Sequence, residues 1–229
     1  MSPPPSSWRL AGALGASVAL ATGVALAGPP GADARRIVET GAISQGVPAC
    51  RSCHGPEGEG VAVQNGPRLA HLDADYLQGQ LDAFAAGTRR HPVMGPIARA
   101  LTSDQRAALG AYFAGLPPPP AVSTPSAGAA ERARGRSLAL RGDWSRGVPS
   151  CASCHGPDGQ GVGSVTPPLT GQTRTYLEHQ LTAFRNGDRS SALEIMNGIA
   201  RRLSPRQLRA AAAYYGALPA TPAIPARSR

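Results

Sequence analysis

Cys50-Arg51-Ser52-Cys53-His54 and Cys151-Ala152-Ser153-Cys154-His155 are two copies of one pentapeptide, 101 positions apart, and they hold all four cysteines of the chain. C-x-x-C-H is the attachment pattern of a c-type haem. Two thiols three residues apart share one turn and reach the two vinyl groups of a porphyrin, where they form thioethers. The adjacent histidine then places an imidazole nitrogen on the iron. Zinc and disulfide chemistry are the competing readings. A Cys/His zinc site gathers four ligands in one place, whereas each pair here stands about a domain length from its twin. A disulfide is open to an exported protein, but a C-x-x-C bridge belongs with a thioredoxin-like strand–helix pattern that this chain lacks. The pentapeptides therefore point to two covalently bound haem c groups, held by Cys50, Cys53, Cys151 and Cys154, with His54 and His155 on the irons.

Around the pentapeptides the chain repeats itself. Gly46-Val47-Pro48-Ala49 recurs as Gly147-Val148-Pro149-Ser150, and His54-Gly55-Pro56-Glu57-Gly58 as His155-Gly156-Pro157-Asp158-Gly159. Tyr76, Gln80 and Phe84 recur as Tyr176, Gln180 and Phe184, Met94 as Met196, and Leu116-Pro117 as Leu218-Pro219. The offset drifts from 101 to 100 to 102, as small insertions and deletions between two copies of one unit would produce. The expected organisation is a first domain over 28–117, a linker over 118–130, a second domain over 131–219 and a disordered tail over 220–229. The linker reading rests on Pro117 to Pro120 followed by small polar residues.

Each half reads as helical. A first helix is expected near Ala34 to Thr40 and again near Ala130 to Leu140. A middle helix carries Tyr76, Gln80 and Phe84 with Leu77 and Leu81 as an apolar stripe. The last helix opens on a capping box, Thr102-Ser103-Asp104-Gln105, and in the second half on Ser204-Pro205-Arg206-Gln207 with proline at its first position. Both last helices are expected to stop at Leu-Pro. No alternating apolar run suggests a sheet, so the fold class is all-α.

Length and composition agree with two small domains. The chain has 229 residues, 4% aromatic side chains and a formal charge of +9, and every one of its 23 basic residues is arginine. So few aromatics make a thin core, and a buried haem in each half supplies the missing apolar mass. The arginines are scattered rather than gathered on one face, which argues against nucleic-acid binding. Residues 1–27 read as a signal peptide: Arg9, an apolar small-residue run from Leu10, and Ala25-Leu26-Ala27 at its end. The run is long enough to raise an uncleaved anchor as the alternative. Its wealth of Ala and Gly favours cleavage. Export to the periplasm is what covalent haem attachment requires, and no other apolar stretch approaches a membrane span, so any membrane contact is peripheral.

A methionine is ordinarily adaptable core filler. Apart from the initiator this chain has only Met94 and Met196, at equivalent places 40 and 41 residues after the two motif histidines. They are expected in Gly- and Pro-rich loops, as the second axial ligands, where a thioether raises the potential relative to a second imidazole. His71, His91 and His179 are the rival ligands. None of them has a counterpart in the other half.

With C-x-x-C-H, a Pro-Leu segment and a methionine before a capped last helix, each half resembles a class I cytochrome c. The tandem resembles the cytochrome c4 family. The resemblance covers residues 34 to 219 and implies two cytochrome c domains joined by the Pro-rich linker. It further implies that the carbonyls of Pro67 and Pro167 accept a hydrogen bond from the ligating histidines, which fixes ring orientation and ligand basicity. Arg68 against Pro168 places a positive charge near one haem only. The expected function is that of a periplasmic carrier moving single electrons between a respiratory donor and a terminal oxidase or reductase. Its expected partners are a redox donor and acceptor, with a membrane oxidase or quinol-oxidising complex among the candidates. The alternative is the electron-accepting subunit of a sulfide or alcohol dehydrogenase. A di-haem peroxidase needs an open iron, against which the paired methionines argue.

Overall fold

The computed structural model describes residues 32–119 and 127–222, with Met1 and Ile224. Residues 2–27 of the expected signal segment and 120–126 of the expected linker lie outside the described residues. The first half runs through α1 (Ala32–Thr40), α2 (Arg51–His54), α3 (Ala74–Ala86), α4 (Met94–Ala100) and α5 (Ser103–Ala114). The second repeats the order with α6 (Ala129–Arg141), α7 (Ala152–His155), α8 (Arg174–Asn186), α9 (Ile195–Arg202) and α10 (Pro205–Tyr215). The described residues form isolated β-bridges but no sheet.

Local chemistry sets the helix ends. Thr102 accepts from the Gln105 backbone N–H at 3.2 Å while the Gln105 side chain accepts from the Thr102 N–H at 2.9 Å. Ser204 and Gln207 do the same at 3.2 and 2.8 Å, with Pro205 at the first helical position where a missing N–H costs nothing. These helices end at Gly115 and Gly216, one and two residues before the Leu-Pro pairs expected to stop them. Asp73 and Thr173 cap α3 and α8, and both helices close on a left-handed glycine, Gly87 and Gly187.

In each half the first helix packs on the last, and the middle helix packs on both the methionine-bearing helix and the last. Ile37 and Val38 of α1 meet Leu109 and Phe113 of α5 in the first core. In the second, Gly135 of α6 lies against Ala210 and Tyr214 of α10. Just before each pentapeptide the chain is clipped into a tight turn: Ala42 and Val47 exchange backbone hydrogen bonds at 2.9 and 3.2 Å, and Asp143 and Val148 at 2.8 and 3.0 Å.

The structure departs from the sequence reading in three places. Met94 opens α4 and Met196 is the second residue of α9, so both sit in the first turn of a short helix rather than in a loop. Helix α6 starts at Ala129, inside the expected linker. The expected disordered tail 220–229 is docked where it is described. Thr221 shares a 3.2 Å hydrogen bond with Thr170, and Ile224 exchanges backbone bonds with Gly161 and Gly163 at 3.1 Å. A hydroxyl pair at Thr221 and backbone bonds at Ile224 hold these residues where the composition alone suggested none would.

The halves meet along a pseudo-twofold seam built from α3, α8 and the strands of chain that follow them. Arg89 and Arg189 form an antiparallel bridge there. Arg89 donates to Gln80 of its own half at 2.9 Å and across the seam to Tyr176 at 3.1 Å and Gln180 at 2.8 Å. Arg189 reciprocates, donating to Gln180 at 2.8 Å, Tyr76 at 3.0 Å and Gln80 at 2.8 Å. Each guanidinium also lies over the phenylalanine of its own middle helix, Phe84 at 4.3 Å and Phe184 at 4.6 Å.

Candidate haem centres

The one-turn helices α2 and α7 carry the pentapeptides. Cys50 and Cys151 stand half-buried at the start of the turn and Cys53 and Cys154 exposed near its end, with no disulfide between them. Burial pushes the Cys50 and Cys151 thiols up to about 11, so at neutral pH both keep their protons. Among the described residues no three His, Cys, Asp or Glu side chains converge as a metal cluster would. What the fold presents instead, twice, is a pair of thiols at the two ends of one turn followed by a buried imidazole.

That imidazole is held from behind. His54 Nδ1 lies 3.0 Å from the Pro67 carbonyl oxygen, and His155 Nδ1 lies 2.8 Å from that of Pro167. A carbonyl can only accept, so Nδ1 carries the proton and Nε2 keeps its lone pair. The side chains are 7% and 8% exposed. Burial, which outweighs the pull of the proline carbonyls, keeps both below the ordinary histidine pKa and therefore neutral. A neutral imidazole with one free nitrogen at a fixed orientation is the form that coordinates a metal.

The methionine segments are held differently in the two halves. His91 Nδ1 accepts from the backbone N–H groups of Val93 and Met94 at 3.3 and 3.2 Å, with its ring edge-on to Phe84. In the second half Ser191 takes over, its hydroxyl accepting from Met196 N–H at 2.9 Å. Asn197, fully buried, then ties the segment down. It accepts from the Ser191 backbone N–H at 3.0 Å and donates to the carbonyls of Phe184 and Arg189 at 2.9 and 2.7 Å. Leu193 and Glu194, immediately before α9, are both left-handed at φ 51° and 52°. The lone pair of His91 is thus committed to the start of α4. His71 sits at φ 58° where the other half has Gly171, and His179 pairs with Asn65 across the seam.

The residues fit a haem in each half. The Arg68 Nε is buried without a partner among the described residues, and neither Arg89 nor Arg189 forms an ion pair with a carboxylate there. Buried donors short of acceptors suit a ring that brings its own carboxylates. Sequence reasoning missed Arg89, Arg189, Gln172 and Asn197. The repeat held a signal for the first two, since Gly87-Thr88-Arg89 and Gly187-Asp188-Arg189 align at the offset of 100. Asn197 stands opposite Gly95 and had none.

The sequence profile of the Cytochrome c family matches residues 42–117 and 133–217. A "thiosulfate dehydrogenase electron acceptor" of Stutzerimonas stutzeri is 42% identical over 185 residues, 80% of this chain and 85% of the relative. Cytochrome c4 of Azotobacter vinelandii is 35% identical over 76% of this chain and 86% of its own. Among solved structures, thiosulfate dehydrogenase (TsdBA) from Marichromatium purpuratum superposes with a TM-score of 0.77 at 41% identity over 83% of this chain. This chain spans only 40% of that longer one. Reduced cytochrome c4 from Pseudomonas stutzeri superposes with a TM-score of 0.69 at 30% identity, over 84% of this chain and all of the other. Twin C-x-x-C-H turns, twin proline-held imidazoles and these relatives converge: the chain belongs to the cytochrome c family, as a tandem electron-transfer protein carrying two haem c groups.

Proposed function

We propose that the chain is an exported carrier that accepts single electrons from a thiosulfate dehydrogenase and passes them to a further respiratory protein, with His54 and Met94 on one iron and His155 and Met196 on the other. The observation that carries the ligand assignment is the twin geometry of His54 on Pro67 and His155 on Pro167, with a methionine in the first turn of a short helix in each half. The donor assignment draws on the relatives named as acceptors of that enzyme. Residues 1–27 supply the export signal in this reading.

When bound, a haem supplies reversible uptake of one electron. The protein's part is to bind, orient and exclude. Cys50, Cys53, Cys151 and Cys154 anchor the ring covalently. Pro67 and Pro167 fix the imidazole plane and raise its basicity. His91 and the Ser191–Asn197 pair hold the backbone that presents each methionine. With Met94 and Met196 as the second ligands, each haem iron would have no position left for a substrate and little to rearrange on reduction, which is the requirement of outer-sphere transfer and the reverse of what a peroxidase needs.

Two measurements test this. Reduced wild-type protein should not bind carbon monoxide at neutral pH, and Met94→Ala should bind one equivalent per chain; rapid binding at both haems of the wild type overturns the ligand assignment. Thiosulfate with catalytic thiosulfate dehydrogenase should reduce both haems of the ferric protein, and sulfide with a sulfide dehydrogenase should do so far more slowly. The opposite order favours the sulfide reading, for which the similarity to the cytochrome subunit of sulfide dehydrogenase from Chlorobaculum tepidum covers only 30% of the chain.

A further inference from the structure

The two halves differ sharply in surface charge. Residues 32–119 carry eight arginines and eight carboxylates, a formal charge of zero, whereas residues 127–222 carry twelve arginines and six carboxylates, a formal charge of +6. Part of that excess gathers at the turn before the second pentapeptide. Trp144 stands on this turn 75% exposed, with the half-exposed Arg146 two residues on. Arg202, exposed at the end of α9, reaches over the same turn: its Cδ and Nε are the nearest atoms, at 3.7 Å, to where a Cβ on Gly147 would lie. Gln207 donates to Asp143 at 2.7 Å and so ties the turn to the start of α10, where Arg206 is exposed. Asp143 is already engaged by Gln207, by the Ser145 hydroxyl at 2.6 Å and by Arg146 at 3.9 Å. Neither Arg202 nor Arg206 forms an ion pair among the described residues. The positions equivalent to Trp144, Arg146, Arg202 and Arg206 are Ile43, Gln45, Ala100 and Asp104. One indole and three guanidiniums thus stand where the first half has an aliphatic side chain, an amide, a methyl and a carboxylate.

We infer that this turn, with Trp144 at its centre and Arg146, Arg202 and Arg206 around it, docks an acidic face of the thiosulfate dehydrogenase that feeds the chain, so that the second half meets the donor. The inference rests on the carrier reading above and adds to it the place and the chemistry of contact. An indole left mostly in water contributes nothing to the core, and Trp and Arg are the side chains that carry most energy at protein interfaces. The uneven charge of the halves turns the second one toward an acidic partner before contact, which raises the rate of productive encounter. A lipid surface selects an uninterrupted basic cluster; separate guanidiniums around an indole, with a hydrogen-bonded carboxylate among them, are a directional pattern that suits a protein face. Val148, which closes the turn, is three residues from Cys151, a reach of at most about 10 Å, so the patch adjoins the second haem site.

The test is the rate at which thiosulfate with catalytic thiosulfate dehydrogenase reduces the ferric holoprotein, followed in the visible band. Wild-type reduction should slow about tenfold as salt rises from low to physiological strength. Trp144→Ala, and the double change Arg202→Glu with Arg206→Glu, should each lower the low-salt rate about tenfold, and the double change should remove most of the salt dependence. The mirror changes Ile43→Ala and Asp104→Ala in the first half should leave the rate within about twofold. Hydroquinone, a small neutral reductant, should reduce every variant as fast as the wild type; if one variant loses this, the other still decides. Failure of the enzyme to reduce the wild type overturns the donor reading and this inference with it. Reduction that ignores both salt and Trp144, or that the first-half changes slow as much as the second-half ones, overturns this inference alone. So does a double change that releases the protein from phosphatidylglycerol vesicles yet leaves the enzyme's rate untouched, because the patch then serves a membrane.

Discussion

At the scale of single residues, these sites are governed by hydrogen bonds whose loss cannot be repaired by water. Asn197 illustrates this best. It is 0% exposed, accepts from Ser191 and donates to two backbone carbonyls, Phe184 and Arg189, the second on a residue of the seam network. Replacing it by Ala strands those groups in a dry site, at about 1–3 kcal/mol for each donor or acceptor left unpaired. The Asn197→Ala holoprotein should unfold at correspondingly lower denaturant concentration. Because the same side chain holds the segment carrying Met196, its reduced form should also bind carbon monoxide at the second haem, while the first stays closed. An unchanged second haem would show that the methionine segment is held by the Ser191 contact alone.

At the scale of elements, the crossing of the first and last helices differs between the halves. Ala34 occupies it in the first and Gly135 in the second. A Cβ on Gly135 would stand 2.0 Å from the Ala210 carbonyl oxygen and 2.8 Å from Tyr214 Cβ. Glycine in a helix interior costs about 1 kcal/mol relative to alanine, so on propensity alone Gly135→Ala should stabilise. The contact is with backbone, which cannot swing aside, and overpacking of this kind costs about 1–3 kcal/mol. The steric cost wins, and Gly135→Ala should lower the midpoint of thermal unfolding followed by helix circular dichroism. The equivalent Ala34→Gly should cost only about 1 kcal/mol, since it adds propensity loss and a small void without a clash.

At the scale of the whole molecule, the two halves are joined by charge held in a neutral frame. Arg89 and Arg189 share the same two acceptors, Gln80 and Gln180. Removing one arginine leaves both glutamines bonded to the other and relieves a repulsion between like charges. Removing the second strands everything. The single changes Arg89→Ala and Arg189→Ala should therefore cost less than half of the double change, with a coupling of about 0.5–3 kcal/mol in a double-mutant cycle on the holoprotein. Additivity within about 0.5 kcal/mol would mean that the seam is held by its other contacts, among them the Arg90–Asp188 pair at 2.9 Å. That pair is exposed on both sides, and isolated surface pairs of this kind contribute little.

Much was legible from residue types and spacing. The C-x-x-C-H copies, the capping boxes and the Tyr-Gln-Phe stripe are local signals, each encoded within a single turn or helix, and chain geometry leaves them little freedom. The anchoring of the methionines was not. Both lie in short helices whose first turns are secured by His91 in one half and by Ser191 with Asn197 in the other. Different residues solve the same problem there, so no repeat marks it. The docking of Thr221 and Ile224 was equally hidden, because it depends on the Thr170 hydroxyl and on backbone groups of Gly161 and Gly163 that only the fold brings within reach.

The sequence by itself determined that this is a duplicated, all-helical chain with two covalent haem sites, because thioether attachment requires a fixed order of residues along one turn. Only the tertiary structure decided which charges lie between the two sites. Arg68, Arg89 and Arg189 read as three among 23 scattered basic residues until folding buries them in a seam of neutral acceptors. A charge acquires its force from the water removed around it, and that removal is a property of the packed halves, not of the order of the residues.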